Sequence, residues 1–146
     1  MKDVGDLERF VEAQEPVYAQ VRAELRSGRK RTHWMWFVFP QLRGLGESPT
    51  SRHFAIASLD EAGGYLRHAV LGPRLLECTR LVNAIEGRAL AEIFGFPDDL
   101  KFRSCMTLFA AAATAERAEF VAALEKYCGG ERDERTLALL GPAHPS

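Results

Sequence analysis

The sequence predicts an all-α protein, a single compact and irregular bundle of about eight mostly short helices. Three observations predict it. Apolar residues recur at the three-and-four spacing of a helix, capping residues, glycines and prolines divide the chain into short segments, and no stretch alternates as a half-buried strand does. The 146 residues suit one domain, so residues 1–146 are assigned to it, with a frayed tail over residues 141–146.

The N-terminal third contains two predicted amphipathic helices. Leu7, Phe10 and Val11 follow helical spacing in the first. Pro16 suits the first turn of the second, and Gly28 suits the position after its end. These helices are expected over residues 6–14 and 16–26.

The apolar run Trp34–Phe39 has no alternation, so it is either a short buried strand or about a turn and a half of buried helix. We favour the helix, with Thr32 as its cap and Pro40 as its stop. The nearest candidate partner strand, His53–Ile56, is too short to be convincing. Residues 40–50 are predicted to be a loop because they hold two glycines and two prolines.

The rest of the chain is divided by local capping signals. Ser58 and Glu61 form a capping box, Pro73 begins a helix, Gly95 closes one, and Asp133 caps the last. The helix after Pro97 is apolar on two sides and is therefore expected at the centre of the core. These helices are expected over residues 58–67, 73–85, 88–94, 97–113, 115–127 and 134–140.

Composition and charge restrict the class of protein. Hydrophobic residues make up 47% and charged residues 27%, as in ordinary globular proteins, and the net charge is −1. No nucleic-acid or membrane partner is therefore expected. The start of the chain does not resemble a signal peptide, and the cysteines are odd in number and widely spaced, so we expect a cytoplasmic protein with reduced thiols.

Four strings together carry a family resemblance: GRKRTHWMWFVFPQLRGLG, LGPRLLEC, FGFPDDLKFRSCMTLFA and DERTLALL. The chain resembles, over nearly its whole length, the bacterial family catalogued as domain of unknown function 1810 (DUF1810). The resemblance implies a compact, mainly helical single domain and no secure activity. Some members carry the label calpastatin, an inhibitor class of disordered chains. Nine phenylalanines, two tryptophans and helical periodicity argue against that label here.

The first candidate site contains His33, Trp34, Trp36, Gln41 and Arg43. An indole face can stack on a base or sugar, an amide can bind a polar edge, and an imidazole can transfer a proton near neutrality. The alternative interpretation is that the two tryptophans belong to the core. The two interpretations overlap, because a core cluster can also form the wall of a pocket.

Two further candidates lie at helix starts. The adjacent carboxylates Asp98 and Asp99 either stabilise the helix start through the dipole, or one of them caps the helix and the other acts as a base or as the ligand of a cation. Lys101 and Ser104, three residues apart, share a face that can bind an anion. Arg74 occupies a first turn, where the helix dipole disfavours a cation and so suggests an acidic partner, either internal or in a ligand.

Three functions remain open. The first is binding of a small anionic ligand, such as a nucleotide or an ADP-ribose-like compound, in a pocket near His33, Trp36 and Lys101. The second is an enzyme, a hydrolase or a transferase, that uses the same pocket, with His33 or Asp98 as general acid or base. The third is a protein-interaction domain whose face includes residues 41–50. The spacing of the histidines and cysteines predicts no metal site, and no cofactor motif is present.

Overall fold

The computed structural model describes residues 6–141, and this part of the chain is all-α, as predicted. It contains ten helices rather than about eight, and its one β-type pairing is an isolated parallel bridge between Leu42 and Ile56. The helices are α1 Glu8–Gln14, α2 Tyr18–Ser27, α3 Met35–Val38, α4 Pro49–His53, α5 Leu59–Arg67, α6 Leu71–Asn83, α7 Leu90–Phe94, α8 Asp98–Ala112, α9 Arg117–Cys128 and α10 Glu134–Leu140. Most of the predicted frayed tail, residues 142–146, lies outside the described residues.

Helix α8 runs through the centre of the core, as its two apolar stripes predict. It packs against α5, α7, α9 and α10. All residues from Ser104 to Ala110 on this helix are buried, so the middle of the helix is covered around its whole circumference. Around it lies one continuous cluster whose largest fully buried side chains include Trp34, Tyr65, Phe10, Phe39, Phe102, Phe109 and Phe120.

The tryptophan segment forms a short helix, as favoured, but its predicted cap is wrong. The N-cap residue of α3 is Trp34, and it makes no side-chain capping bond. Thr32 instead donates its hydroxyl hydrogen bond to Glu24, 2.7 Å away. A buried carboxylate within reach therefore competes successfully for the threonine hydroxyl.

Helix α4 lies at the end of the segment predicted to be a loop. Pro49 occupies its first turn, and the Ser48 hydroxyl accepts the hydrogen bond of the Ser51 backbone N–H at 3.1 Å. Serine followed by proline is a helix-start signal that the sequence contains, although the prolines and glycines around it indicate a loop. The Leu42–Ile56 bridge brings the two ends of segment 43–55 together, because the Ile56 N–H donates to the Gln41 carbonyl at 2.8 Å.

Gly28 and Gly95 follow α2 and α7 as predicted, but Pro16 lies before α2, which begins at Tyr18, rather than in its first turn. Ser58 and Asp133 cap α5 and α10. Helix α6 begins at Leu71 rather than at Pro73 because the His68 Nδ1 accepts the backbone N–H of Val70 at 3.1 Å. The same nitrogen also accepts from the Leu71 N–H, so a histidine side chain binds the two backbone N–H groups at a helix start that lies two residues before the proline.

Candidate functional site

The residues before α3 are held by a buried carboxylate that the sequence analysis missed. Glu24 on α2 is 2% exposed. One of its oxygens accepts from the Arg31 and Thr32 backbone N–H groups and from the Trp34 indole, and the other accepts from the Thr32 hydroxyl and the Gln20 amide. Burial alone would raise the pKa of Glu24, but these hydrogen bonds outweigh it and lower the pKa to about 2.

The same segment delivers a lysine to the start of α8. The Lys30 backbone N–H donates to the Ile93 carbonyl at 2.7 Å, and its Nζ lies 2.9 Å from Asp98 Oδ2. The other oxygen of Asp98 lies 3.0 Å from Lys101 Nζ. One carboxylate is therefore shared by two ammonium groups.

This pairing defines the chemistry available to Asp98. Partial burial raises the pKa of Asp98. The hydrogen bonds from Lys30 and, to a smaller extent, from Lys101 lower it by more, so the net shift of the pKa is downward. A carboxylate with a lowered pKa and two cationic partners is a weak base near neutral pH. Asp98 is therefore better suited to orient Lys101 than to transfer a proton.

Lys101 connects this ion cluster to the half-buried tryptophan of α3. Its Nζ lies 4.0 Å from the centroid of the Trp36 ring, within the range of a cation–π interaction. Asp98 and Trp36 thus hold the ammonium from two directions. The position of the Lys101 ammonium is set by both contacts.

Lys101 and Trp36 line an open cleft with a cavity volume of about 280 Å³. This volume is just below the usual range for small-molecule pockets, about 300–1,000 Å³. The cleft therefore fits a small ligand or one end of a larger one. It is formed by α3, the loop after it and the first turns of α8 and α10, and its lining residues are Trp36, Gln41, Leu45, Pro97, Leu100, Lys101, Ser104, Asp133 and Arg135.

Arg135 lines the cleft but was not predicted from the sequence. It lies in the first turn of α10, the position unfavourable for a cation that drew attention to Arg74. The same signal was thus present for Arg135. Its guanidinium donates to the Gly44 carbonyl at 3.3 Å, while Asp133 accepts the capping hydrogen bonds of Thr136.

The fold brings four of the predicted site residues together in the cleft: Trp36, Gln41, Lys101 and Ser104. Lys101 and Ser104 share one face of α8, as their spacing predicts. The Ser104 hydroxyl donates to the Leu100 carbonyl at 3.1 Å, which leaves its oxygen as an acceptor.

The other five predicted site residues do not line the cleft: Asp98, which binds Lys101, and His33, Trp34, Arg43 and Arg74. His33 is exposed and does not line the cleft. Trp34 is 1% exposed and belongs to the core. Arg43 lines separate depressions, and the one it shares with Trp36 has a cavity volume of only about 20 Å³, about enough for one water molecule.

Arg74 is bound within the protein, away from the cleft. Its guanidinium lies 2.7 Å from Glu15, contacts the Gln14 amide oxygen at 3.3 Å and stacks 4.6 Å from the Tyr18 ring centroid. The acidic partner that its position suggests is therefore an internal one.

Two kinds of feature are absent from the described residues. Between residues 6 and 141, no three or more histidine, cysteine, aspartate or glutamate side chains are arranged to hold a metal ion. Over the same range, no helix has the length and apolar character needed to cross a membrane.

Comparison with known proteins places the chain among proteins whose function is also open. The family model described as a protein of unknown function, DUF1810, matches residues 4–140. The crystal structure of the conserved hypothetical protein Rv1873 from Mycobacterium tuberculosis is similar, with 63% sequence identity and a TM-score of 0.91. The similarity covers 94% of this chain and 97% of that one. No curated protein matches.

Proposed function

The chain belongs to the DUF1810 family, and we propose that it binds a small organic anion in the cleft beside Trp36 and Lys101. The observation that carries the proposal is the position of Lys101, whose ammonium faces both a carboxylate and an indole ring at the wall of this cleft. An ammonium held in this way loses little conformational freedom when it binds an anion.

The lining supports a ligand with two chemically different ends. Lys101 and Arg135 can bind a phosphate or carboxylate through charge-assisted hydrogen bonds. Leu45, Pro97 and Leu100 form an apolar wall that suits a flat ring. A nucleotide or an ADP-ribose-like compound combines these features, with part of the molecule extending out of the cleft.

Binding is better supported than catalysis. His33, the predicted general acid or base, lies outside the cleft lining, and the pKa of Asp98 is lowered by its two lysine partners. General acid–base catalysis needs a group whose pKa lies near the working pH and that reaches the ligand. The proposal therefore gives Asp98 a positioning role and leaves His33 outside the site.

A thermal-shift screen with nucleotides, sugar phosphates and nicotinamide derivatives tests the proposal. A specific ligand at 100 times its dissociation constant should stabilise the protein by about 2.7 kcal/mol. Lys101→Met should weaken binding by roughly 10- to 100-fold, since one charge-assisted hydrogen bond is worth about 1.5–3 kcal/mol.

Arg26→Met is a matched control because Arg26 is an exposed cation on α2 that does not line the cleft. It should leave ligand affinity unchanged. The proposal is wrong if no anion in the screen stabilises the wild type, or if Lys101→Met binds as tightly as the wild type does.

A protein-interaction role is the second candidate, because two large apolar side chains are exposed: Leu100 in the cleft lining and Phe96, the residue before Pro97 of that lining. Phe96 is 80% exposed and Leu100 is 50% exposed. If these side chains mediate self-association, sedimentation velocity should show it in the wild type and lose it in Phe96→Ser. If the wild type is a monomer at all concentrations, self-association through these side chains is rejected.

A further inference from the structure

Lys30 is the less obvious member of the ion cluster around Asp98. Its side chain is 8% exposed, against 18% for Asp98 and 20% for Lys101. It does not line the cleft, yet its ammonium lies as close to Asp98, at 2.9 Å, as that of Lys101 does, at 3.0 Å. An ion pair that little solvent reaches is weakly screened by salt.

Lys30 is also fixed in place by the core. Its backbone N–H is hydrogen bonded to Ile93, and its Nζ lies 5.3 Å from the centroid of the Trp34 ring. The Trp34 indole is in turn held by Glu24 at 2.9 Å. The charge of Lys30 is therefore set at one position behind the cleft.

The charge balance of the cleft depends on this lysine. The charged side chains that line the cleft are Lys101, Arg135 and Asp133. If Asp98 faced Lys101 alone, that pair would cancel, and Arg135 would be offset by Asp133. Because Lys30 supplies a second ammonium to Asp98, one positive charge is left over.

We infer that Lys30 is a positioning residue that neutralises Asp98 and so leaves the charge of Lys101 available to attract an anion. The inference rests on the proposed function for its biological meaning, but the charge balance can be measured without the natural ligand. Lys30 would make the cleft selective for anions without contacting them.

Quenching of tryptophan fluorescence by iodide measures this charge directly. The chain has two tryptophans, and Trp34 is 1% exposed, so a dissolved quencher reports mainly on Trp36 beside Lys101. The readout is the ratio of the quenching constants for iodide and for neutral acrylamide, which corrects for changes in exposure. We expect Lys30→Gln to lower this ratio about twofold at low ionic strength.

Three further variants separate charge balance from a merely structural role. Asp98→Asn should raise the ratio, Lys30→Arg should preserve it, and the double variant Lys30→Gln/Asp98→Asn should return it close to the wild-type value. Loss of structure alone would not produce a rise, a retention and a restoration in these three variants.

The outcomes separate this inference from the proposed function. An unchanged ratio in Lys30→Gln, or a low ratio that persists in the double variant, overturns the role of Lys30 even if organic anions stabilise the protein. The expected pattern of ratios, without any stabilising organic anion in the thermal-shift screen, supports the role of Lys30 and rejects the proposed function.

Discussion

Trp34 and Glu24 meet inside the protein, where the indole nitrogen donates a hydrogen bond to a carboxylate oxygen 2.9 Å away. The same carboxylate binds the backbone of Arg31 and Thr32, so one side chain of α2 holds the segment that leads into α3. The positions of Lys30 and Trp36, on either side of this contact, depend on it.

Replacing Glu24 should therefore destabilise the whole fold. In Glu24→Gln, the amide group puts a donor where the carboxylate accepted hydrogen bonds, and each buried donor left unsatisfied costs about 1–3 kcal/mol. We expect a loss of roughly 3 kcal/mol in the free energy of unfolding, measured by urea denaturation. Glu125→Gln, an exposed change on α9, is the control and should alter stability by less than about 0.5 kcal/mol.

The contribution of Glu24 should depend on pH in a defined direction. Its pKa is lowered from 4.5 to about 2 on folding, so the ionised side chain stabilises the protein above pH 4.5. This contribution, about 3 kcal/mol at 1.36 kcal/mol per unit, should diminish as the pH falls from 4.5 to 2 and vanish below that. The difference in stability between wild type and Glu24→Gln should shrink over this interval. A constant difference would contradict the lowered pKa.

The two tryptophans should respond differently to truncation. Trp34→Ala empties a fully buried site and should cost about 3–5 kcal/mol, whereas Trp36 is half-buried at a cleft and should cost about 1 kcal/mol when replaced by alanine. Thermal and urea unfolding of both variants measure the contrast. Equal losses would indicate that Trp36 is also a core residue.

Two helical glycines offer a matched pair. A Cβ at Gly72 would lie 2.1 Å from the Leu66 carbonyl oxygen, so Gly72→Ala should cost at least about 2 kcal/mol. A Cβ at Gly63 would meet only the flexible end of Arg67, at 3.1 Å. Gly63→Ala should therefore stabilise α5 by about 0.5–1 kcal/mol. A neutral or stabilising effect of Gly72→Ala would refute the close approach at Gly72, and a destabilising Gly63→Ala would refute the open surroundings of Gly63.

The cysteines should react unequally with a thiol reagent. Burial raises the pKa of Cys78 to about 12 and raises that of Cys105 well above its usual value. Cys128 is half-buried, and burial raises its pKa as well. In the native protein at pH 8 we expect at most one thiol to react, slowly, whereas all three should react in denaturant. Rapid reaction of two or more native thiols would contradict this burial.

The sequence predicts the parts of this fold that local interactions determine. Ser58 and Asp133 cap helices because their hydroxyl or carboxylate reaches a backbone N–H three residues away. Lys101 and Ser104 share a face for the same reason of short spacing. Such contacts do not depend on how the helices pack.

The rest depends on residues distant in the chain. Trp34 and Trp36 are equally apolar, but Trp34 lies in the core, where its indole binds Glu24 and its ring packs against Phe94, sixty residues later. Arg135 reaches the cleft because α10 packs against α8. Neither relationship leaves a periodic signal in the sequence.

The Leu42–Ile56 bridge has a practical consequence for engineering. Because the bridge holds the two ends of segment 43–55 together, residues can be inserted in the middle of the segment without changing the distance between these ends. Flexible loops tolerate added length at small entropic cost. The exposed residue Glu47 lies within segment 43–55 and does not line the cleft. A reporter peptide spliced in there would be carried on the outside of the molecule, with the hydrophobic interior unaltered.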